Sequence, residues 1–373
     1  MDDEARRTGD LDPARERAQR RSRWGRRSLY GFPRRERAES VPDDGGSVYG
    51  ALDLGTNNCR LLVARPSGDG FHVIDAFSRI IRLGEGVSAS GRLNEAAIER
   101  AVEALSICRD KMKNRGVTRA RLIATEACRA AVNGAEFRAR VVQEVGLELE
   151  VIDRETEAEL AASGCTPLID PQAQGVILFD IGGGSSELVR LARSAPVERG
   201  PPLPQIEAWA SLPVGVVTLA ERHGGHKVTR DVYEAMVAEV AVFVERFVTE
   251  SGSRGIEDVH MLGTSGTVTT IAGVHLDLRR YERRRVDGCW MSDDEVTGVI
   301  ERLLDMSYEE RAANPCIGNE RADLVLAGCA ILEAIRRAFP CPRLRVADRG
   351  LREGMLVKMM RQDGIWDGQM SRA

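Results

Sequence analysis

Apolar runs of strand length alternate with helical stripes along this chain, and the series starts twice. The first series opens with apolar runs at 48–53 and 59–64, which predict antiparallel strands joined by a tight turn over 55–58. The second opens in the same way, with a strand at 176–180 and a returning strand at 186–191 around three successive glycines. This duplication predicts an α/β fold of two lobes with a cleft where they meet.

Helical periodicity follows each opening hairpin. The apolar positions Ile98, Val102, Leu105 and Met112 predict a helix from residue 93 to about residue 114. Further helices are predicted at 135–145, 156–162, 231–250 and 292–304, and further strands at 71–77, 121–125, 149–152, 208–213, 259–263 and 344–347.

The first 47 residues differ from the rest, because they combine arginine-rich blocks with scattered proline and glycine and have almost no apolar periodicity. Between Arg15 and Arg37 there are ten arginines and two acids, so this stretch carries about +8 while the whole chain carries -4. The sequence therefore predicts a disordered tail over 1–47, a first lobe over 48–162 and a second lobe over 163–373. The tail is either a solvated extension or a contact for polyanions.

Composition excludes several classes of protein. Apolar residues make up 43% of the chain, as in globular domains, and no run approaches the ~20 apolar residues of a membrane span. The eight cysteines form no CxxC pair, which excludes zinc-ribbon and thioredoxin-type sites, and the N-terminus lacks the apolar segment of a secretory signal. We therefore expect a reduced, cytoplasmic protein without a membrane partner. A homodimer stays open.

The turn at the end of the first strand has the composition of an anion-binding site. Asp53 ends an apolar run, and Gly55 permits a tight turn. Thr56 and Asn57 then offer hydroxyl, amide and backbone N–H donors. Hairpin turns of this composition also occur without a function, so the turn is convincing only together with a second one.

The second turn, over 180–187, is the more specific signal. Three successive glycines directly after an apolar strand are unfavourable for folding, and they suit a loop that a ligand approaches closely. Asp180 and Glu187 supply hard oxygen ligands that suit Mg²⁺, an ion that keeps several waters and bridges phosphates. We therefore predict Mg²⁺ as cofactor, with Asp180 and Glu187 as its ligands.

A third glycine turn, Gly263-Thr-Ser-Gly-Thr, also follows a predicted strand. Glycine turns after several strands predict a phosphate cleft, whereas the absence of G-x-x-x-x-G-K-[ST] and of G-x-S-x-G excludes a P-loop enzyme and an α/β-hydrolase. The residues predicted to bind phosphate are Asp53, Gly55, Thr56, Asn57, Gly182, Gly183, Gly184, Ser185, Ser186, Gly263, Ser265 and Gly266.

Two further groups of charged residues are candidates for chemistry. The segment 153–159 contains four acids, and it is either the polar first turn of a helix or the source of a general base for an attacking water. Arginine's planar fork suits phosphate oxygens, although each arginine is equally interpretable as a surface ion pair. The candidates are Arg79, Arg82, Arg129, Arg349 and Arg352.

Seven motifs occur in order along the predicted lobes. They are Asp53-Leu-Gly-Thr-Asn-Asn, Arg79-Ile-Ile-Arg-Leu-Gly-Glu-Gly, Ala124-Thr-Glu-Ala-Cys-Arg, Glu155-Thr-Glu-Ala-Glu-Leu, Asp180-Ile-Gly-Gly-Gly-Ser-Ser-Glu-Leu, Gly263-Thr-Ser-Gly-Thr and Asp348-Arg-Gly-Leu-Arg-Glu-Gly. In this order they resemble the exopolyphosphatase / guanosine pentaphosphate phosphatase family of the actin–hexokinase–Hsp70 superfamily. The resemblance implies two RNase H-like lobes, of the actin-like ATPase type, with the active site between them.

The resemblance also implies roles for particular residues. Glu157 takes the position of the family's catalytic base, and Arg129 that of a phosphate or transition-state contact. Asp180 and Glu187 match the metal-side carboxylates. The base segment of many relatives has adjacent glutamates where this chain has a threonine between two, so Glu155 stays an alternative base.

Two other departures concern substrate binding. The first turn has Thr56 and Asn58 where relatives often have serine, and threonine keeps the hydroxyl. Long relatives have a C-terminal helical domain that helps to bind long polyphosphate, and we expect none here.

The activity that the resemblance implies is Mg²⁺-dependent removal of the terminal phosphate of inorganic polyphosphate by attack of water. Two alternatives are kept. One is hydrolysis of the 5′-terminal phosphate of guanosine pentaphosphate (pppGpp), and the other is an actin-like nucleotide-binding module without this hydrolase activity.

Overall fold

Two β-sheets form the framework of the protein, in a computed structural model that describes residues 46–193, 197–256 and 258–367. The predicted tail lies almost wholly outside these residues. Sheet A consists of β1 (Tyr49–Leu54), β2 (Asn58–Ser67), β3 (Gly70–Ile80), β4 (Arg119–Ala124) and β5 (Glu150–Val151). Sheet B consists of β6 (Gly175–Ile181), β7 (Ser186–Ala192), β8 (Gln205–Leu212), β9 (Val259–Thr264), β10 (Trp290–Ser292) and β11 (Arg343–Ala347).

Helices connect and cover these strands. In the described residues they are α1 (Val87–Ser90), α2 (Glu95–Asn114), α3 (Glu126–Ala130), α4 (Gly134–Val145), α5 (Arg154–Cys165), α6 (Val216–His223), α7 (Arg230–Glu250), α8 (Ser265–His275), α9 (Arg283–Val286), α10 (Asp293–Asp305), α11 (Tyr308–Ala313), α12 (Val325–Ala338) and α13 (Leu351–Gln362). A short 3₁₀ helix, Thr166–Leu168, follows α5.

The two sheets are built alike. Their strand orders are β3–β2–β1–β4–β5 and β10–β11–β9–β6–β7–β8. In each, an antiparallel hairpin comes first, and its first strand then pairs in parallel with a later strand. The predicted duplication of an α/β unit is therefore confirmed.

The hairpin registers place charged residues opposite each other. Asp53 on β1 is paired with Arg60 on β2, and Asp180 on β6 is paired with Glu187 on β7. Directly opposite residues of an antiparallel pair have Cβ atoms roughly 5 Å apart. Each hairpin therefore presents a pair of charged side chains beside its turn.

Helices α5 and α13 lie between the two sheets. Leu160 of α5 packs with Met355 of α13 in the core of sheet A, whereas Ala158 and Ala162 of α5 pack on sheet B. The two helices approach so closely that a Cβ on Gly354 would lie 1.9 Å from the backbone oxygen of Leu160. The predicted lobe boundary at residue 162 falls inside α5, and the last helix returns to sheet A.

The third predicted glycine turn is not a turn. Gly263 lies inside β9, where it is paired with Phe179 and Val346, and α8 begins directly after the strand, at Ser265. A Cβ on Gly263 would lie 2.6 Å from the Phe179 ring. This glycine therefore makes room for an aromatic core residue and does not reach the cleft.

Candidate active site

A cleft of about 260 Å³ lies where the C-terminal ends of strands from both sheets meet. The strand ends that line it are marked by Asp53, Thr125, Asp180, Thr264 and Asp348. Most of the predicted site residues come together here. Those that line the cleft are Asp53, Gly55, Thr56, Asn57, Glu157, Asp180, Gly182, Gly183, Gly184, Ser185, Glu187, Ser265 and Gly266.

The first turn is held in place by the segment that follows β3. Within the turn, Gly55 N donates to the carbonyl oxygen of Asn58 at 2.9 Å. Ile81 N then donates to the carbonyl oxygen of Asn57, and Gly84 N to that of Thr56, both at 2.9 Å. The side-chain oxygen of Asn57 is buried and has no hydrogen-bond partner within the described residues. A buried acceptor of this kind is expected to bind a donor from a ligand or water.

The second turn has the same closure and is held from the other side. Gly182 N donates to the carbonyl oxygen of Ser185 at 3.0 Å, and the first turn of α6 donates from Val216 N and Val217 N to the carbonyls of Gly182 and Gly183. These bonds fix the loop against α6, so it is not a freely moving glycine loop.

The two turns are in contact with each other, which explains two of the three glycines. A Cβ on Gly183 would lie 2.9 Å from Thr56 Cβ, and one on Gly184 would lie 3.0 Å from Thr56 Oγ1. Thr56 therefore occupies the space that side chains in the second turn would need. Any substitution of Gly183 forces the turns apart.

The N-terminus of α8 forms a further wall of the cleft. Ser265, its first residue, has a φ of +82°, which is rare for a residue other than glycine. Its hydroxyl donates to the carbonyl oxygen of Ile181 at 2.6 Å and accepts from Gly266 N at 2.6 Å. Strained residues of this kind cluster at functional sites, and the helix N-terminus favours an anion beside Gly266.

Glu157 reaches the cleft from the start of α5. Asp153 caps this helix by accepting from Thr156 N at 2.7 Å, and Glu155 is exposed. The acidic segment therefore contains both features that the sequence suggested: a helix start and one carboxyl group in the cleft. This placement favours Glu157 over Glu155 as the candidate base.

Arg129 holds this carboxyl group. Its Nη2 donates to Glu157 at 3.1 Å and to Glu126 at 2.6 Å, and its Nη1 donates to the carbonyl oxygen of Ile152 at 2.6 Å. Arg129 itself is not among the residues that line the cleft. The structure therefore shows a contact of Arg129 with Glu157, and its phosphate contact stays a prediction.

Ser186 is a second predicted phosphate residue that the structure places elsewhere. Its side chain is fully buried, and its hydroxyl donates to the carbonyl oxygen of Val214 at 2.7 Å. Side chains alternate between the two faces of a strand, and Ser186, next to Ser185, faces the core. Like Gly263, it does not line the cleft.

Burial and like charge raise the pKa of several cleft carboxyl groups. Burial raises the pKa of Asp180 to about 6, with Arg60 opposing the shift and Asp53 adding to it. Burial and then Asp180 raise the pKa of Glu187 to about 7, although Ser185 and Ser211 donate hydrogen bonds to it. Burial and then Glu187 raise the pKa of Glu157 well above its usual range.

Burial is the main cause of these raised pKa values and neighbouring carboxyl groups add to it, so the cleft disfavours several ionised carboxylates without a bound cation. A divalent cation beside Asp180 and Glu187 would relieve that charge. In the described part of the chain, no three side chains of His, Cys, Asp or Glu are grouped to hold a metal ion. Mg²⁺ is usually bound by one or two carboxylates together with waters and substrate phosphates, so a paired donor set of this kind fits it.

Sequence reasoning missed several cleft residues. Arg60 lines the cleft, and it opposes the pKa increase of Asp53 that burial causes. Glu126 also lines the cleft, where Arg129 and Arg154 bind its carboxylate. The signal for Arg60 was present, because Arg60 follows Asp53 by the same spacing that separates Glu187 from Asp180.

The two sheets, the paired turns and the phosphate-sized cleft define a two-lobed α/β protein. A solved member of the Ppx/GppA family from Aquifex aeolicus is similar to it, with a TM-score of 0.69 and 29% identity over 85% of this chain and 98% of that one. A solved exopolyphosphatase-like protein gives a TM-score of 0.75 and 27% identity, again over 85% of this chain and 98% of the other. The fold is the predicted actin-like one.

The sequence profile of the Ppx/GppA phosphatase family matches residues 62–363, and the chain belongs to this family. Exopolyphosphatase 2 of Mycobacterium tuberculosis is 27% identical over 331 residues, which are 83% of this chain and 97% of the relative. A guanosine-5′-triphosphate,3′-diphosphate pyrophosphatase of Photobacterium profundum is 26% identical over 84% of this chain and 59% of its own length. The protein is thus a phosphatase of the Ppx/GppA type, a phosphoanhydride hydrolase.

Within the residues that the structure describes, no helix combines the length and the apolar character of a membrane span.

Proposed function

We propose that the protein is an exopolyphosphatase, which releases the terminal phosphate of inorganic polyphosphate by attack of water. The observation that carries the proposal is the placement of Glu157 in a cleft whose other walls are the two glycine turns and the N-terminus of α8. Phosphoryl transfer requires mainly positioning and stabilisation of charge. The turns and the helix terminus supply positioning and donors, and Glu157 supplies the base.

Glu157 is the residue that we assign to the water. Its carboxyl group is only 14% exposed and accepts from Arg129, so its orientation is fixed. A raised pKa makes a carboxylate a stronger base, which suits proton transfer near neutral pH. Glu157 orients the water and takes its proton, while Arg129 is a positioning residue that holds Glu157.

Phosphate oxygens are assigned to the turns. Thr56, Asn57 and Ser185 place polar side chains in the cleft, and Gly183 and Gly184 also line it. Arg60, with its fixed planar donors, lies on the same side as Asp53. These groups bind and orient the terminal phosphate in line with the water.

Phosphatases of this family are generally metal-dependent, and we assign Mg²⁺ to Asp180 and Glu187. The two residues are opposite each other in the β6–β7 register, and both have raised pKa values. When bound, Mg²⁺ neutralises phosphate oxygens and polarises the phosphorus.

Phosphate release on four substrates in parallel tests the substrate assignment. The substrates are long polyphosphate, tripolyphosphate, pppGpp and ATP, each with Mg²⁺ and with a chelator. We expect the highest kcat/KM on polyphosphate, and we expect no phosphate release from any substrate when the chelator removes the metal. A higher value on pppGpp would transfer the assignment to that substrate, and binding of ATP without release from any polyphosphate would support a nucleotide-binding module.

Two further proposals concern the arginine-rich tail and the assembly of the protein. An arginine-rich tail binds polyanions by releasing counterions, so deletion of residues 1–47 should raise the KM for long polyphosphate and weaken its salt dependence. An unchanged KM would show that the tail does not hold substrate.

Light scattering of the full chain would test a homodimer, and fractionation of cells would test the cytoplasmic location.

A further inference from the structure

A second set of contacts joins the two lobes beside the first phosphate turn. Arg82 follows β3 in the first lobe, and Asp323 precedes α12 in the second. Arg82 Nη1 donates to Asp323 Oδ2 at 3.0 Å and Nη2 donates to Oδ1 at 3.1 Å, so the pair is bidentate. Nη2 also donates to the carbonyl oxygen of Glu320 at 3.0 Å. Paired parallel bonds of this kind fix the relative orientation of both partners.

Arg82 is bound to the phosphate turn by its own backbone. Its N–H donates to the carbonyl oxygen of Asn57 at 3.1 Å, beside the bond from Ile81. Its φ is +48°, in the left-handed region that residues other than glycine, asparagine and aspartate rarely adopt. The surrounding structure must therefore hold Arg82 in this conformation, which aims its side chain across the lobe boundary.

Asp323 stands on a rigid part of the second lobe. Buried Arg311 donates to the carbonyl oxygen of the preceding residue, Ala322, at 3.3 Å. A Cβ on Gly225 would lie 2.0 Å from the carbonyl oxygen of Asp323, so the backbones pack directly together. The segment that precedes Asp323, residues 315–321, lines the cleft. Movement of Asp323 would therefore move a wall of the active site.

A second contact across the boundary leads to the other turn. Glu221 Oε1 accepts from Gly86 N at 2.9 Å. Glu221 lies on α6, whose first residues donate to Gly182 and Gly183 of the second turn. Hydrogen bonds therefore run from the first turn through residues 81–86 to Asp323 and α6, and from α6 to the second turn.

We propose that Arg82 and Asp323 form an interlobe latch, which holds the two phosphate-binding turns at the spacing that substrate binding needs. Both are positioning residues, since they lie outside the chemistry assigned to Glu157 and reach the substrate only through the turns. The latch rests on the proposed function of the cleft. The latch explains why an arginine lies at position 82, although its positive φ is unfavourable for this residue type.

Steady-state kinetics of matched variants tests the latch. Arg82→Asn removes the charged fork and tolerates the left-handed backbone, while Asp323→Asn removes the partner charge. We expect each to raise the KM for tripolyphosphate roughly fivefold, as a half-buried ion pair allows, with little change in kcat. The double variant should show the same increase as each single one, since the residues act as one unit. The exchange Arg82→Asp with Asp323→Arg should restore most of the lost affinity.

Arg140→Ala is the matched control. Arg140 has the same side-chain exposure, 32% against 31% for Arg82, and it binds two carboxylates within the first lobe. Its KM should stay at the wild-type value. Increases that add in the double variant, an equal increase in Arg140→Ala, or unchanged KM values in both latch variants would each overturn the proposal.

Small-angle X-ray scattering separates the latch from the proposed function. Without substrate, Arg82→Asn and Asp323→Asn should have a larger radius of gyration than the wild type, and the exchange variant should return to the wild-type value. If the wild type releases no phosphate from any substrate, the proposed function fails while this measurement still tests the latch. Equal radii of gyration in the wild type and all variants would contradict the latch, whatever the enzymatic activity.

Discussion

The β1–β2 and β6–β7 hairpins both line the cleft. Their turns have the same length and the same backbone arrangement, but the charged residues beside the turns differ. Residues 53–60 and 180–187 share an aspartate at the strand end, a glycine two residues later and an N–H to carbonyl bond that closes the turn. The residue opposite the aspartate is Arg60 in the first hairpin and Glu187 in the second. An aspartate–arginine pair suits a phosphate, whereas a buried pair of carboxyl groups is stabilised by a bound cation or by protonation.

The turns differ in side chains as well as in charge. The first turn carries Thr56 and Asn57, and the second carries Gly183 and Gly184 at the same positions. A Cβ on either glycine would lie too close to Thr56. The second turn therefore lacks side chains at the positions where Thr56 of the first turn packs against it. The two hairpins thus share one backbone arrangement, and in the proposed function the first binds the phosphate and the second binds its metal.

The largest expected effect tests whether either hairpin supplies the base. Glu157→Gln should lower kcat by about two orders of magnitude or more, because the amide cannot accept the proton of the attacking water. Glu155→Gln is the matched control on the same helix, and it should stay near the wild-type rate because Glu155 is exposed. Phosphate release under saturating substrate measures both. Wild-type turnover in Glu157→Gln would show that another residue, such as a carboxylate of one of the hairpins, acts as the base.

The next effect concerns the contact between the turns. Gly183→Ala places a Cβ 2.9 Å from Thr56 Cβ, so the turns must separate. A displacement near 1 Å in a catalytic site costs roughly ten- to a hundredfold in kcat/KM. Gly298→Ala, where the new Cβ meets no atom within 4 Å, is the control. Equal kinetics in the two variants would mean that the close approach has no role.

The charge difference between the hairpins predicts a pH-dependent stability. The pKa of Glu187 is raised from 4.5 to about 7 in the folded state. Between these values the folded state binds more protons than the unfolded state, so stability without metal falls as pH rises through this window. Glu187→Gln keeps the acceptor for Ser185 and should be more stable than the wild type at pH 8, by roughly 1–3 kcal/mol.

Urea denaturation with a chelator, at pH 4.5 and pH 8, measures this difference. It should shrink to about 0.4 kcal/mol at pH 4.5, where Glu187 is protonated in the folded state and half-protonated in the unfolded state. The exposed control Glu136→Gln should show no such gain. A Glu187→Gln variant that is less stable than the wild type at pH 8 would contradict the assignment of uncompensated charge to the second hairpin.

The smallest effect separates neighbouring serines of the second hairpin. Ser186→Ala removes a hydroxyl that donates to Val214 in the core, and it should lower the free energy of unfolding by about 1 kcal/mol without changing KM. Ser185→Ala, in the cleft, should raise KM. Thermal unfolding and steady-state kinetics on both variants distinguish a core residue from a ligand contact.

The periodicity predicted most of the fold and the main part of the site, for reasons that lie in single elements. The hairpins were visible because strands and their turns are local in sequence. Helix α13 was not predicted, and a helical pattern alone would not have shown which sheet it covers. Gly263 was misassigned because a glycine that accommodates Phe179 looks the same in sequence as a glycine that permits a turn.

Side-chain roles were predictable only where one strand fixes the direction. Asp180 and Glu187 were found from their turn, while Arg60 was missed although it follows Asp53 by the same spacing that separates Glu187 from Asp180. The contact of Arg129 with Glu157 was not predicted, because Glu157 lies on another element, and the phosphate contact of Arg129 stays a prediction. Arg82 was considered for phosphate, and its partner Asp323 is 241 residues away.

Titration of thermal stability with Mg²⁺ tests the division of labour between the hairpins most directly. Binding to the folded state alone raises the unfolding midpoint with ligand concentration. We expect Mg²⁺ to raise the midpoint of the wild type and of Arg60→Ala, and to leave that of Glu187→Gln unchanged. A midpoint that still rises in Glu187→Gln, or one that no longer rises in Arg60→Ala, would contradict a metal side at 180–187 and a phosphate side at 53–60.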